Sequence, residues 1–150
     1  MNTKKLLLLT LAILISVVSL AFLGVKTFVT TVADSRDCDW ANIDHIEMRA
    51  AVDIPPVLDS ECDYNPARKR KTTIFTLDKE KFDVSGYSKK FGYEKVDLAP
   101  KNFFDFDGAI ASLDAPQFYV RKGKTETTAY HMLFDANSGK LWVDLQYLYD

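Results

Sequence analysis

The chain has 150 residues, and about 115 of them remain once an apolar N-terminal segment and its flanks are set aside, enough for one compact domain and too few for two. All 21 acidic residues lie at position 34 or later, whereas three of the 19 basic residues (Lys4, Lys5 and Lys26) precede it, so the later part of the chain carries a net charge of −5. This mildly acidic balance argues against nucleic-acid binding, which needs a basic face.

Residues 6–25 form an apolar segment without charge or proline. A helix of about 20 residues is roughly 30 Å long, which matches the hydrocarbon core of a bilayer. Lys4 and Lys5 precede the segment and acidic residues follow it, so the positive-inside rule predicts a cytoplasmic N-terminus. The sequence therefore predicts a signal-anchor helix that contacts the lipid bilayer and holds an extracytoplasmic domain at the cell (inner) membrane.

This interpretation divides the chain into a cytoplasmic N-terminus (1–5), a transmembrane helix (6–25), a juxtamembrane linker (26–37) and an exported domain (38–150). The alternative is a secretory signal peptide that is cleaved after Thr31-Val32-Ala33. Both interpretations export the domain.

Cys38 and Cys62 are the only cysteines. Two cysteines in an exported chain most often form one disulfide, and closing a loop of this length contributes roughly 3–4 kcal/mol in the chain-entropy model. A redox or metal-binding pair is the alternative, but neither a C-x-x-C motif nor zinc-type spacing with the two histidines accompanies them. The sequence predicts a structural disulfide, no metal site and no cofactor.

The segment between the cysteines supports two interpretations. Trp40, Ile43 and Ile46 share one face of a helix, whereas Ile46 and Met48 begin an alternation of apolar and polar residues that is typical of a strand. We expect a helix over residues 39–50.

A basic cluster, Arg68, Lys69, Arg70 and Lys71, follows an Asn-Pro turn signal. This pattern predicts an exposed basic tip. The cluster is a candidate contact for anionic lipid or an acidic partner, and a solvated loop without a ligand is the alternative.

The remaining periodicities predict strands and one further helix. The strands are 72–77, 93–98, 117–122, 127–134 and 140–149, and the helix is 79–92, closed by Gly92. These elements predict an α+β domain in which a mainly antiparallel sheet of about four or five strands packs against one or two helices. In the last strand we expect the face of Leu141, Val143, Leu145 and Tyr147 to meet the helices.

Asp105 and Asp107 lie in a loop with three phenylalanines, the most unusual local composition in the domain. Two carboxylates are candidates for cation binding or acid–base chemistry, although the further oxygen ligands of a calcium loop are absent from the motif. The alternative is a loop whose phenylalanines pack in the core while the aspartates face water.

The sequence contains no nucleophile elbow, no phosphate-binding glycine loop and no zinc-protease motif. We therefore expect the exported domain to bind or scaffold an unknown protein partner. A hydrolase-like enzyme that uses Asp105 or Asp107 is the second hypothesis. A module that senses cations or lipid through residues 68–71 or the acidic loop is the third.

Overall fold

The computed structural model describes residues 3–39 and 41–149, which fall into two units that divide after Asp34. The first unit is one α-helix, α1 (Thr3–Asp34). Its most apolar window has a mean hydropathy of 2.9, and none of that window is buried within the protein. Such a helix is long and apolar enough to cross a membrane, and a signal sequence has the same character. The helix also includes most of the segment that we assign from the sequence to a linker.

The second unit begins at Ser35 and contains a six-stranded antiparallel sheet. The helices are α2 (Asn42–Ala50), α3 (Val84–Lys90) and α4 (Lys101–Phe104), with two 3₁₀ turns at Lys79–Lys81 and Gly108–Ser112. The strands are β1 (Val57–Asn65), β2 (Arg70–Leu77), β3 (Glu94–Val96), β4 (Phe118–Lys124), β5 (Thr128–Asp135) and β6 (Lys140–Tyr147).

The strand order is β1-β2-β6-β5-β4-β3, so β1 and β3 are the two edges. The chain first makes the β1–β2 hairpin, crosses to the far edge through α3, and then returns strand by strand until β6 pairs with β2. Strand β6 thus joins the β1–β2 hairpin to the other three strands near the centre of the sheet.

The sheet is covered on both faces. One face, which we call the α2 face, carries Phe75, Leu141 and Val143 against α2 and α3. The other, the α4 face, carries Trp142 and Leu133 against α4 and the second 3₁₀ turn. The expected alternation of β6 is confirmed, because its four odd-numbered residues from Leu141 to Tyr147 all belong to the core of the α2 face.

The α+β class is confirmed, but the expected number of strands is wrong because the sheet has six. The strand that the sequence does not reveal is β1, which contains three acidic residues and is mostly exposed. Edge strands with one paired side and two solvated faces lack the apolar alternation on which strand prediction depends. The helices are also more numerous than expected, because α4 covers the second face.

The expected helix over residues 39–50 is present as α2, which begins at Asn42. Trp40, which we place on its apolar face, lies outside the described residues. Ala51 ends α2 in the left-handed conformation, with φ of 49°. Arg121 donates hydrogen bonds to the carbonyls of Ala50 and Ala51, so strand β4 satisfies the end of the helix.

The single helix expected over residues 79–92 is a 3₁₀ turn followed by α3. The break falls at Asp83, whose carboxylate accepts a hydrogen bond from the backbone N–H of Ser85 and so caps α3. An N-cap aspartate has non-helical backbone angles, which is why an unbroken helix is wrong here. The predicted end of the helix is confirmed, because Gly92 has φ of 66°.

Candidate functional site

The carboxylate of Asp107 already has two partners inside the domain. One oxygen, Oδ2, accepts a hydrogen bond of 2.7 Å from the indole Nε1 of Trp142. The other accepts from the backbone N–H of Ala109 and caps the second 3₁₀ turn. Asp105, at the end of α4, is exposed. The acidic loop therefore has one aspartate that supports the fold and one that faces water.

The phenylalanines of this loop take different positions. Phe103 is fully buried in the core of the α4 face, and Phe106 packs partly buried against the same cluster. Phe104, by contrast, remains 40% exposed. Most of the loop's apolar content therefore serves the core.

The basic cluster is divided by the hairpin. Arg68 and Lys69 lie in the turn, with φ of 50° at Lys69, whereas Arg70 and Lys71 belong to β2. Because successive residues of a strand point to opposite faces, Arg70 lies on the α4 face and Lys71 on the α2 face. The expectation of one exposed basic tip is wrong for these two residues, because both are engaged within the sheet.

Arg70 connects the two segments that the sequence singles out. Its guanidinium forms a two-point ion pair with Asp144, with N–O distances of 2.8 and 3.0 Å, and lies 5.7 Å from the centre of the Phe106 ring. Asn102 donates a further hydrogen bond of 3.2 Å to Asp144. The hydrogen bond that Arg70 donates to Asp144 raises the pKa of Arg70, and the charge of Asp105 adds a smaller contribution of the same sign. The arrangement fastens α4 and its acidic loop to the centre of the sheet.

His131 stands next to this ion pair. It lies directly opposite Asp144 in the β5–β6 register and opposite Lys122 in the β4–β5 register. The centre of its ring is 4.8 Å from that of Phe103. Burial lowers the pKa of His131 more than the Asp144 carboxylate raises it. The half-buried ring behaves as part of the packing of α4.

A second polar group lies on the α2 face and includes Lys71 of the predicted basic cluster. Lys71 is 1% exposed and donates a hydrogen bond from Nζ to the backbone carbonyl of Asp37. Burial lowers the pKa of Lys71 to about 8, although Asp37 and Asp39 oppose this. Nearby in the same face, Nε2 of His45 and the hydroxyl of Tyr147 share a hydrogen bond of 2.6 Å.

These contacts fix the first residues of the domain to the sheet. The guanidinium of Arg36 lies 4.9 Å from the centre of the Tyr147 ring, and Lys71 holds the carbonyl of Asp37. The predicted disulfide follows immediately, with Cys38 bonded to Cys62 of β1 and their Cα atoms 5.7 Å apart. The segment that enters the domain is thus attached at three consecutive positions.

Two grooves flank β1, one on each face of the sheet. The groove on the α2 face has a volume of about 540 Å³ and separates β1 from the start of α2. Its lining includes Cys38, Asp39, Asn42, Ile43, Asp44 and Ser60. The groove on the α4 face has a volume of about 150 Å³ and is lined by Glu61, Cys62, Asp63, Thr72, Ile74 and Phe106.

No group of three or more metal-ligating side chains converges among the residues that the structure describes. Comparison of the chain with protein families, with curated proteins and with solved structures finds no match.

Proposed function

We propose that the protein is a single-pass membrane protein that displays an extracytoplasmic α+β domain for binding a protein partner. The observation that carries the membrane role is α1, whose apolar window has no buried part within the protein. Apolar side chains such as Leu7, Leu20 and Phe22 are each 69% exposed, and a bilayer would cover them. The disulfide supports an oxidising compartment for the domain.

The orientation follows from charge. Lys4 and Lys5 stand before the apolar window, which favours a cytoplasmic N-terminus and an exported domain. Two single substitutions to cysteine test this orientation by labelling with a membrane-impermeant maleimide. We expect the exposed Ser112→Cys site to be labelled in intact cells, and the matched Thr3→Cys site only after lysis. The reverse pattern would contradict the orientation, and labelling of neither site before lysis would contradict export.

The contacts of the charged side chains support partner binding, because several of these groups are engaged within the fold. Asp107 is held by Trp142, Arg70 by Asp144, and Lys71 by a backbone carbonyl, so these charged groups stabilise the fold. The β1 strand is instead an edge of the sheet, and a groove flanks it on each face. These contacts favour a binding role over the hydrolase hypothesis for Asp105 and Asp107.

Site-specific photo-crosslinking in native membranes tests the binding role. A photoreactive residue replaces exposed side chains on β1, at the opposite edge strand β3 and in the turn after β4, one position at a time. We expect a discrete crosslinked species from at least one position. The absence of a crosslinked species from all of these positions would contradict a partner-binding role.

A further inference from the structure

We propose that the β1 edge binds an extended, lysine- and arginine-rich segment of a partner protein by β-strand addition. This inference rests on the proposed partner-binding role of the domain and adds to it the surface and the chemistry of the partner.

The edge itself supplies backbone hydrogen-bonding groups. β1 has nine residues and pairs only with β2 in the described part of the chain. Every second residue of such an edge directs its N–H and C=O away from the sheet, where another strand can pair with them. The opposite edge, β3, has only three residues and offers far fewer backbone groups for pairing. Strand addition at β1 would therefore extend the sheet on its longer open side.

The two grooves match the geometry of an added strand. Successive side chains of a strand point to opposite faces of the sheet. A strand paired with β1 would place alternate side chains toward the larger groove beside α2 and the others toward the smaller groove beside Phe106. Recognition by strand addition uses the backbone for affinity and such side-chain sites for specificity.

Each groove carries two carboxylates. Asp39 and Asp44 line the groove on the α2 face, and Glu61 and Asp63 line the groove on the α4 face. All four are exposed, and no salt bridge joins any of them to another side chain in residues 3–39 and 41–149. Basic side chains on both faces of an added strand would meet opposite charge, so a run of consecutive lysines and arginines fits better than an alternating one.

The same charges disfavour two other occupants. A second copy that paired β1 with β1 would bring the carboxylates of both copies together, and like charges across a strand pair are destabilising. An anionic lipid surface would meet the same repulsion. The segment Glu61-Cys62-Asp63, whose cysteine forms the disulfide, thus disfavours self-pairing and favours a basic strand.

Fluorescence anisotropy with a defined peptide tests the proposal. The full chain in detergent micelles is titrated into a labelled ten-residue peptide with the repeat Lys-Arg-Thr-Val. A control peptide has the repeat Lys-Arg-Pro-Pro, which keeps every charge but cannot pair as a strand. We expect saturable binding of the first peptide and at least about tenfold weaker binding of the second, because proline removes the N–H groups that strand pairing needs.

Charge variants of the protein locate the site. We expect the double variant E61Q/D63N to weaken peptide binding by about three- to tenfold, since it removes two carboxylates whose exposed ion pairs each contribute modestly. The matched control E94Q/D97N removes the same charge at the opposite edge, and we expect a change of less than about twofold because salt screens distant charges.

Three results would overturn the proposal. They are equal binding of the proline peptide, equal effects of the two double variants, and no binding of the Lys-Arg-Thr-Val peptide. In each case, a photo-crosslink obtained from a surface other than β1 would leave the partner-binding role standing, so the two proposals fail separately.

Discussion

The indole Nε1 of Trp142 donates a hydrogen bond to Oδ2 of Asp107 across 2.7 Å, joining the centre of β6 to the loop that follows α4. Trp142 is fully buried, so its N–H has no access to water. A buried donor must have a partner, and here the partner is the carboxylate that the sequence marks as a candidate catalytic group. The contact explains why an acidic residue stands among phenylalanines.

We therefore expect Asp107→Ala to lower the free energy of unfolding by about 1–3 kcal/mol, because it leaves a buried N–H unsatisfied and removes a cap. The neighbouring exposed Asp105→Ala is the matched control and should change it by less than about 0.5 kcal/mol. Thermal unfolding of the full chain in detergent measures both. Equal effects of the two substitutions would contradict the structural role of Asp107.

Lys71 makes the stability of the domain depend on pH in a defined direction. Its pKa is lowered to about 8 in the folded state by burial, whereas an unfolded lysine titrates near 10.5. Between these values the unfolded state binds more protons, so stability rises with pH. The contribution of Lys71 to the free energy of unfolding is fully present above the unfolded pKa and is lost as the pH falls through about 8.

The measurement is thermal unfolding of the full chain between pH 7.5 and 9.5, where any ionisation of unfolded tyrosines affects the native chain and the variant alike. We expect the melting temperature of the native chain to rise relative to that of Lys71→Met, which lacks the titrating group. Parallel curves for the two proteins would show that Lys71 does not titrate in this range.

Tyr147 tests the polar group on the α2 face. Its hydroxyl and Nε2 of His45 share a hydrogen bond of 2.6 Å, and both residues are buried. We expect Tyr147→Phe to lower the free energy of unfolding by about 1–2 kcal/mol, because the ring and its packing are kept while this hydrogen bond is lost. Tyr149→Phe removes a hydroxyl from a residue that is 65% exposed and should be nearly neutral. If both substitutions were neutral, the buried bond would contribute nothing to stability.

The sequence predicts the elements whose local pattern is strong. The β5–β6 hairpin, the alternation of β6 and the glycine that follows α3 all depend on residue types at short spacing, and the disulfide follows from the presence of only two cysteines. Strand β1 cannot be predicted in this way, because it pairs with a strand on one side only and its side chains are mostly exposed to water.

The candidate site was less predictable for a related reason. Arg70 and Asp144 are far apart in sequence, and only the β2–β6 pairing brings them together. The burial of Lys71 depends likewise on how the segment before Cys38 lies across the sheet. Periodicity can show that a lysine occupies a strand, but it cannot show which tertiary contact covers it.

The central claim is that an uncleaved apolar helix carries a disulfide-closed domain on the oxidising side of a membrane. The most direct measurement is the intact mass of the protein extracted from membranes and treated with a thiol-alkylating reagent without reduction. We predict one full-length species that begins at the N-terminal end of the chain and carries no alkyl group, with Cys38 linked to Cys62. A product that begins at Asp34, or a chain with two alkylated cysteines, would contradict the account.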